Sequence, residues 1–262
     1  MKKYLGLICL LYSGIVLYVW FSNSLNNYLA PSMQIYIKIS SILMIIFGIL
    51  LIVFKDINYK FKVSDIVLIL PLIMIFIAGD GSLSLDLASN RMGNFNKKIT
   101  TIEEDEIDSS IIDNNMVSTN IDFEIIDENY DYLANYLTFN EKALKFKGKS
   151  IKVKGFSITK ASYLPTGYFA LGKYIISCCA ADATFGGFYI KYDVSKIKDG
   201  AWYEIEGILN SGKDSDGHSI MYINVTNIKE VSVSSNELYA YPCYSYDDMC
   251  KEVRKYDIDF EV

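Results

Sequence analysis

Hydrophobic and polar positions divide the chain into three regimes. The first 79 residues hold long apolar runs broken by short polar turns. Residues 80–120 are polar and acidic, and from 121 onward apolar residues recur at strand and helix spacings. In the first regime Lys2-Lys3 precede an uncharged run from Tyr4 to Phe21. A second run, Gln34 to Phe54, carries Lys38 near one end, where its long stem can snorkel to an interface. A third, Ile66 to Ala78, holds Pro71, which kinks a membrane helix but is tolerated there. The pattern predicts three transmembrane helices, at about residues 4–21, 34–54 and 64–79. No small-x-small cleavage site follows Phe21, so the first run reads as a retained helix and not as a cleaved signal.

Lys2, Lys3, Lys55, Lys60 and Lys62 mark one side of these helices, while the loop around Asn23–Ser32 carries no charge. Basic residues gather on the cytoplasmic side, so the N-terminus is expected inside. Three crossings then place everything after residue 79 outside the cell membrane. That placement depends on the third run.

Residues 80–120, rich in Gly, Ser, Asn and Asp with the acidic run Glu103–Glu106, read as a solvated linker. The acidic run lacks the alternating oxygen ligands and turn glycine of a calcium loop. The remainder, 121–262, is expected to be one mainly β domain. Ile121–Ile126 alternates like a strand, and Tyr132, Leu133, Tyr136 and Leu137 lie at helical spacing in an amphipathic helix over Tyr130–Leu144. Five further strands are expected at Lys149–Thr159, Tyr168–Cys179, Gly187–Tyr192, Trp202–Leu209 and Ser219–Val233. Five short strands within about 148–235 suit a small closed barrel of the oligonucleotide/oligosaccharide-binding (OB) type. Asp247–Tyr256 reads as a short C-terminal helix.

Charge sharpens this division. Of 25 basic and 31 acidic residues, six and two lie in residues 1–79, a net of +4; the remaining 19 and 29 give the body −10. A body this acidic repels phosphate backbones, so nucleic acid is not an expected partner. No phosphate-binding loop, catalytic triad or acid/base carboxylate pair appears, so the chain is not expected to be an enzyme. Glu204 and Glu206 share one face of their strand, as on a solvent-facing surface.

The candidate chemistry is concentrated in Cys178, Cys179 and Asp182. Neighbours on a strand point to opposite faces, which would send one cysteine to the core and the other outward. The plain reading is a packing cysteine beside an incidental one. The sharper reading takes both thiolates and Asp182 as ligands of a soft metal, zinc or copper(I). His218 is the one histidine able to join them, although its Gly-Lys-Asp-Ser-Asp-Gly-His turn suits a solvated side chain. Lys173 or His218 could instead partner a nucleophilic thiol. A disulfide between the two adjacent cysteines would require a strained ring. Cys243 and Cys250 form a candidate disulfide in the tail, allowed in an oxidising compartment.

Three strings, Gly148-Lys-x-Ile-x-Val-x-Gly-Phe156, Leu171-Gly-Lys-Tyr-x-Ile-x-Cys-Cys-Ala-Ala-Asp-Ala183 and Asp199-Gly-x-Trp-x-x-x-x-Gly207, resemble the YcgQ family. So do Tyr28-Leu-Ala-Pro31 and Ala88-x-x-Arg91, which makes the resemblance run along nearly the whole chain. That family consists of bacterial membrane proteins regarded as subunits of a two-component permease complex. The resemblance implies an N-terminal membrane region, an OB-like C-terminal domain and a multi-spanning permease as partner alongside the lipid membrane. Lys173 stands where the family pattern usually has arginine. Cys243 and Cys250 lie in a tail that departs from the family's usual Pro-x-x-Pro-Tyr ending. An accessory permease subunit and a metal- or thiol-handling module are the two functions these features imply.

Overall fold

The computed structural model describes residues 2–22, 24–53, 99, 101–104, 121–125, 130–139, 141–233, 237 and 239–242. The expected third span at 64–79, most of the 80–120 linker, the C-terminal helix and both tail cysteines lie outside the described residues. The chain forms two compact units, residues 1–82 with 178–181, and residues 83–177 with 182–262.

In the first unit, α1 (Lys2–Phe21) and α2 (Pro31–Val53) pack against each other. Among the described residues, α2 is the helix long and apolar enough to cross a membrane, whereas the apolar part of α1, Leu5–Phe21, is shorter. Close approach is made possible by small residues. A Cβ on Gly6 would stand 2.7 Å from the Gly48 carbonyl oxygen, and one on Gly48 would stand 3.0 Å from that of Gly6. Ser13 donates its hydroxyl to the Ser41 carbonyl at 3.2 Å, and Ser41 returns the bond to the Ser13 carbonyl at 3.3 Å. Small residues that bring backbones together, with hydroxyls bonding across, are how helices associate where lipid removes the hydrophobic drive between them. The outer faces stay apolar: Leu7, Leu11, Ile35, Ile39, Ile42, Leu43, Ile46, Phe47 and Leu50 are all exposed. Near the connecting segment, Lys38 holds its ammonium 5.0 Å over the Trp20 ring. Gln34 donates to the Asn26 side chain at 2.6 Å and to the Leu29 carbonyl at 3.3 Å.

The second unit is built on a closed five-stranded barrel. Its strands are β3 (Ser150–Ile158), β4 (Tyr168–Ile175), β5 (Thr184–Lys191), β6 (Trp202–Lys213) and β7 (Ser219–Glu230). Antiparallel pairs β3–β4, β4–β5 and β6–β7 are joined by a parallel β5–β7 pair, and β3–β6 closes the circle. Three two- or three-residue strands extend it: β1 (Glu103–Glu104) on β6, β2 (Phe123–Ile125) on β3 and β8 (Tyr239–Ala240) on β4. Within the linker, Glu103 and Glu104 pair with Lys213 and Gly212, a contact its acidic composition did not predict.

The barrel interior is filled by Ile151, Val153, Phe169, Leu171, Phe188, Ile190, Ile205, Leu209, Met221 and Ile223. The amphipathic helix α3 (Tyr130–Phe139) adds Tyr130, Leu133, Ala134 and Leu137 to the same core, and Thr138 donates to the Gly187 carbonyl at 3.2 Å. A second core cluster brings Ile99, Phe156, Tyr174, Phe185, Tyr189, Tyr222 and Tyr239 together on other faces of the same strands. Every residue of β4 is therefore buried, and its apolar character is continuous instead of alternating. β3 and β4 run so close that a Cβ on Gly155 would meet the Gly172 carbonyl oxygen at 2.6 Å, a contact only glycine avoids.

Candidate functional site

β4 stops at Ile175, four residues before the end expected from the sequence. The Ile176 N–H bonds to the Ala240 carbonyl at 3.0 Å, and the Ser177 N–H donates to Asp182 Oδ1 at 3.1 Å. A three-residue 3₁₀ turn at Ala180–Asp182 then leads into β5. Cys178 and Cys179 therefore lie in a loop and not on a strand. The expected division into one core-facing and one surface-facing cysteine does not hold: Cys178 is exposed and Cys179 half-buried.

The loop is held by backbone bonds instead. Residues 178–181 belong with the first unit, where Leu29 and Cys179 form an antiparallel bridge. The Ala30 N–H donates to the Cys178 carbonyl at 3.1 Å, and the Ala180 N–H donates to the Tyr28 carbonyl at 2.8 Å. Residues 28–30 are part of the connection between α1 and α2. The sequence offers one signal for this partnership, two short uncharged strings without helical periodicity, and nothing that pairs them.

The two thiol sulfurs stand 3.6 Å apart, and neither is in a disulfide. Their ligand atoms and a carboxylate oxygen of Asp182 all lie within 4.8 Å of one another. Two thiolates at about 2.3 Å from a tetrahedral zinc would be about 3.8 Å apart, so this spacing fits a shared soft metal. His218 does not join the group. It sits in the β6–β7 turn with Asp214 and Asp216, 3.4 Å from Asp214 Oδ1 through Nδ1. Asp214 is buried and its Oδ1 accepts the N–H groups of Asp216 and His218, so this carboxylate organises the turn.

Lys173 also departs from the role considered for it beside a thiol. It is 3 % exposed, with its ammonium 5.4 Å from the Tyr130 ring centre and 5.9 Å from that of Trp202. It lines a cleft of about 170 Å³ with Glu124, Lys152, Lys154, Glu204 and Glu237. Two ion pairs cross the same region, Lys154–Glu237 at 2.8 Å and Lys152–Glu204 at 3.5 Å. Glu204 thus faces a lysine and the cleft, and the sequence reading missed the cleft because its charges come from five separate segments.

An apolar helical pair and a closed barrel define the class: a barrel protein with an N-terminal helix able to cross a membrane. The DUF1980 C-terminal domain matches residues 101–242, more than half of the chain, and the protein belongs to that family. No curated protein and no solved structure matches it.

Proposed function

We propose that the protein is a membrane-anchored accessory subunit of a two-component permease, presenting an OB-like barrel outside the cytoplasm. The observation that carries the reading is α2: 23 residues, long and apolar enough to cross a membrane, with little of that apolar surface buried. Packing on α1 leaves most of this helix without protein cover, and lipid or a multi-spanning partner would supply it. The resemblance to the YcgQ family supports the permease as that partner, and the positive-inside asymmetry of Lys2, Lys3, Lys55, Lys60 and Lys62 supports the extracytoplasmic side. The barrel's role in this reading is binding and not catalysis. The test is purification of the tagged full chain from native membranes in mild detergent. Recovery of a multi-spanning partner in fixed ratio supports the reading, and consistent recovery of the chain alone overturns it.

The 3.6 Å sulfur separation favours a second, compatible reading, a metal-handling loop at Cys178, Cys179 and Asp182. Zinc or copper(I) bound at about one equivalent by the full chain, and lost on Cys179→Ser, is the expected result. Equal metal content in both proteins removes it.

A further inference from the structure

The cleft around Lys173 opens where two barrel strands part. β3 and β4 pair over Phe156–Ile158 and Ala170–Gly172. Before Phe156 the same edge of β3 takes up β2, through Ile151–Val153, and beyond Gly172 the same edge of β4 takes up β8, through Tyr174–Ile175. Two short strands thus hold the fork open, and its space is about 170 Å³. Cavities of about 150 Å³ hold a benzene-sized guest, so this one suits a small ligand. Lys173 reaches it from a core-facing position. Leu171 and Ile175, two residues to either side on β4, belong to the barrel core, and residues two apart share a face of a strand. An apolar residue at 173 would complete that core, whereas a lysine ammonium must be drawn out of water at a cost. The ammonium ends at the cleft, 5.4 Å from the Tyr130 ring centre and 5.9 Å from that of Trp202. A pocket with aromatic walls and a few convergent charges is the usual form of a small-molecule site.

The charges select the ligand. Among the described residues, three lysines (Lys152, Lys154, Lys173) and three glutamates (Glu124, Glu204, Glu237) line the cleft, a balance of zero. A phosphate would meet three carboxylates there, and a bare metal ion three ammonium groups. A ligand carrying both signs meets a complementary charge at each end. Of the six, Lys173 is the buried one, so a cation stands at depth while the glutamates stand nearer the mouth. We infer that the cleft binds a small zwitterion, an α-amino acid, with its carboxylate on Lys173 and its ammonium among Glu124, Glu204 and Glu237. Glu204 and Glu237 are paired with Lys152 and Lys154 at 3.5 Å and 2.8 Å. Half-exposed pairs of this kind contribute little to stability and exchange partners at small cost. An amino-acid site would give the binding role proposed for the barrel a ligand class. It lies wholly within the barrel and needs neither the anchor nor the permease, so each reading can fail without the other.

Trp202 beside the cleft supplies the readout, since Trp20 is the other tryptophan of the chain. In the full chain carrying Trp20→Phe, in mild detergent, the L-α-amino acids are titrated one by one while Trp202 emission is followed. A saturable change with at least one of them is expected. Its amide, which lacks the carboxylate, and its N-acetyl derivative, which lacks the ammonium, should each bind about tenfold more weakly or worse. Lys173→Met keeps an apolar stem and removes the charge, and Glu237→Gln changes a half-exposed position. Each should weaken binding by about tenfold or more while thermal unfolding stays cooperative. Glu237→Gln decides alone if Lys173→Met does not fold. Silence to every amino acid up to millimolar concentrations overturns the inference. So does a response that survives these substitutions, or one that the amide reproduces in full.

Discussion

A lysine ammonium can remain in the wall of the barrel because aromatic faces stand in for part of its water. Lys173 lies over Tyr130 and Trp202 while its stem packs within β4. Removing it should leave a gap and lose both ring contacts, and Lys173→Ala should cost about 2 kcal/mol of stability. Lys173→Arg keeps the charge and stacks on rings, so it should restore most of the loss. Thermal unfolding of the detergent-solubilised full chain reads both, with a fall of several degrees expected for Ala alone. An unchanged midpoint for Lys173→Ala would show that the rings contribute nothing. The same residue marks a limit of legibility. Its place in an apolar string was visible in the sequence, but its aromatic partners lie far away in α3 and β6.

At the scale of elements, α3 is a plug and β2 a clip. Leu133 and Leu137 are fully buried in the barrel core. Leu133→Ala should cost about 2–5 kcal/mol, read as a lowered denaturation midpoint with little loss of helix signal. β2 is fastened to β3 by Asp122, whose carboxylate accepts the Ser150 N–H at 2.8 Å and the Ser150 hydroxyl at 2.7 Å, with Lys149 at 3.3 Å. Burial pushes the Asp122 carboxyl up, but the Ser150 bonds and Lys149 outweigh it and hold it below the usual carboxylate range. A depressed folded value means that its stabilisation is present above the unfolded value of about 4 and is lost as pH falls through the lower, folded one. Asp122→Asn should therefore destabilise at pH 7 and flatten that acid limb. A wild-type limb surviving in Asp122→Asn would assign it to other carboxylates.

Most of these elements were legible. The barrel strands follow from alternating apolar positions, or in β4 from a continuous apolar run, α3 follows from helical spacing, and the turns are marked by glycine, aspartate and lysine. What could not be read was where pairing ends. Ile176-Ser-Cys-Cys continues the β-like composition of β4, yet the hydrogen bonds of that stretch go to Ala240, Asp182 and the Tyr28–Ala30 segment. Such partners are set by closure of the chain over long separations, which no local pattern records. Glu103-Glu104 illustrates the converse, since acidic residues usually depleted in strands still pair with the end of β6. The candidate metal group was legible as a string, but its geometry was not: Cys178 and Cys179 owe their 3.6 Å spacing to a turn that the strand assignment excluded.

For the whole molecule, an apolar, basic head and an acidic body of net −10 belong in different solvents. The helical pair exposes large apolar side chains, while the described part of the barrel buries nearly all of its own. In the proposed arrangement the anchored barrel stands outside the cytoplasm. The most direct test inserts a specific protease site into the acidic run at Glu103–Glu106, just after Glu106, in the full chain. Protease is then added to intact spheroplasts, and the product is read by its size. Cleavage without lysis is expected, giving a barrel fragment that carries residues 121–262. Cleavage only after the membrane is broken would place the barrel in the cytoplasm and contradict that arrangement.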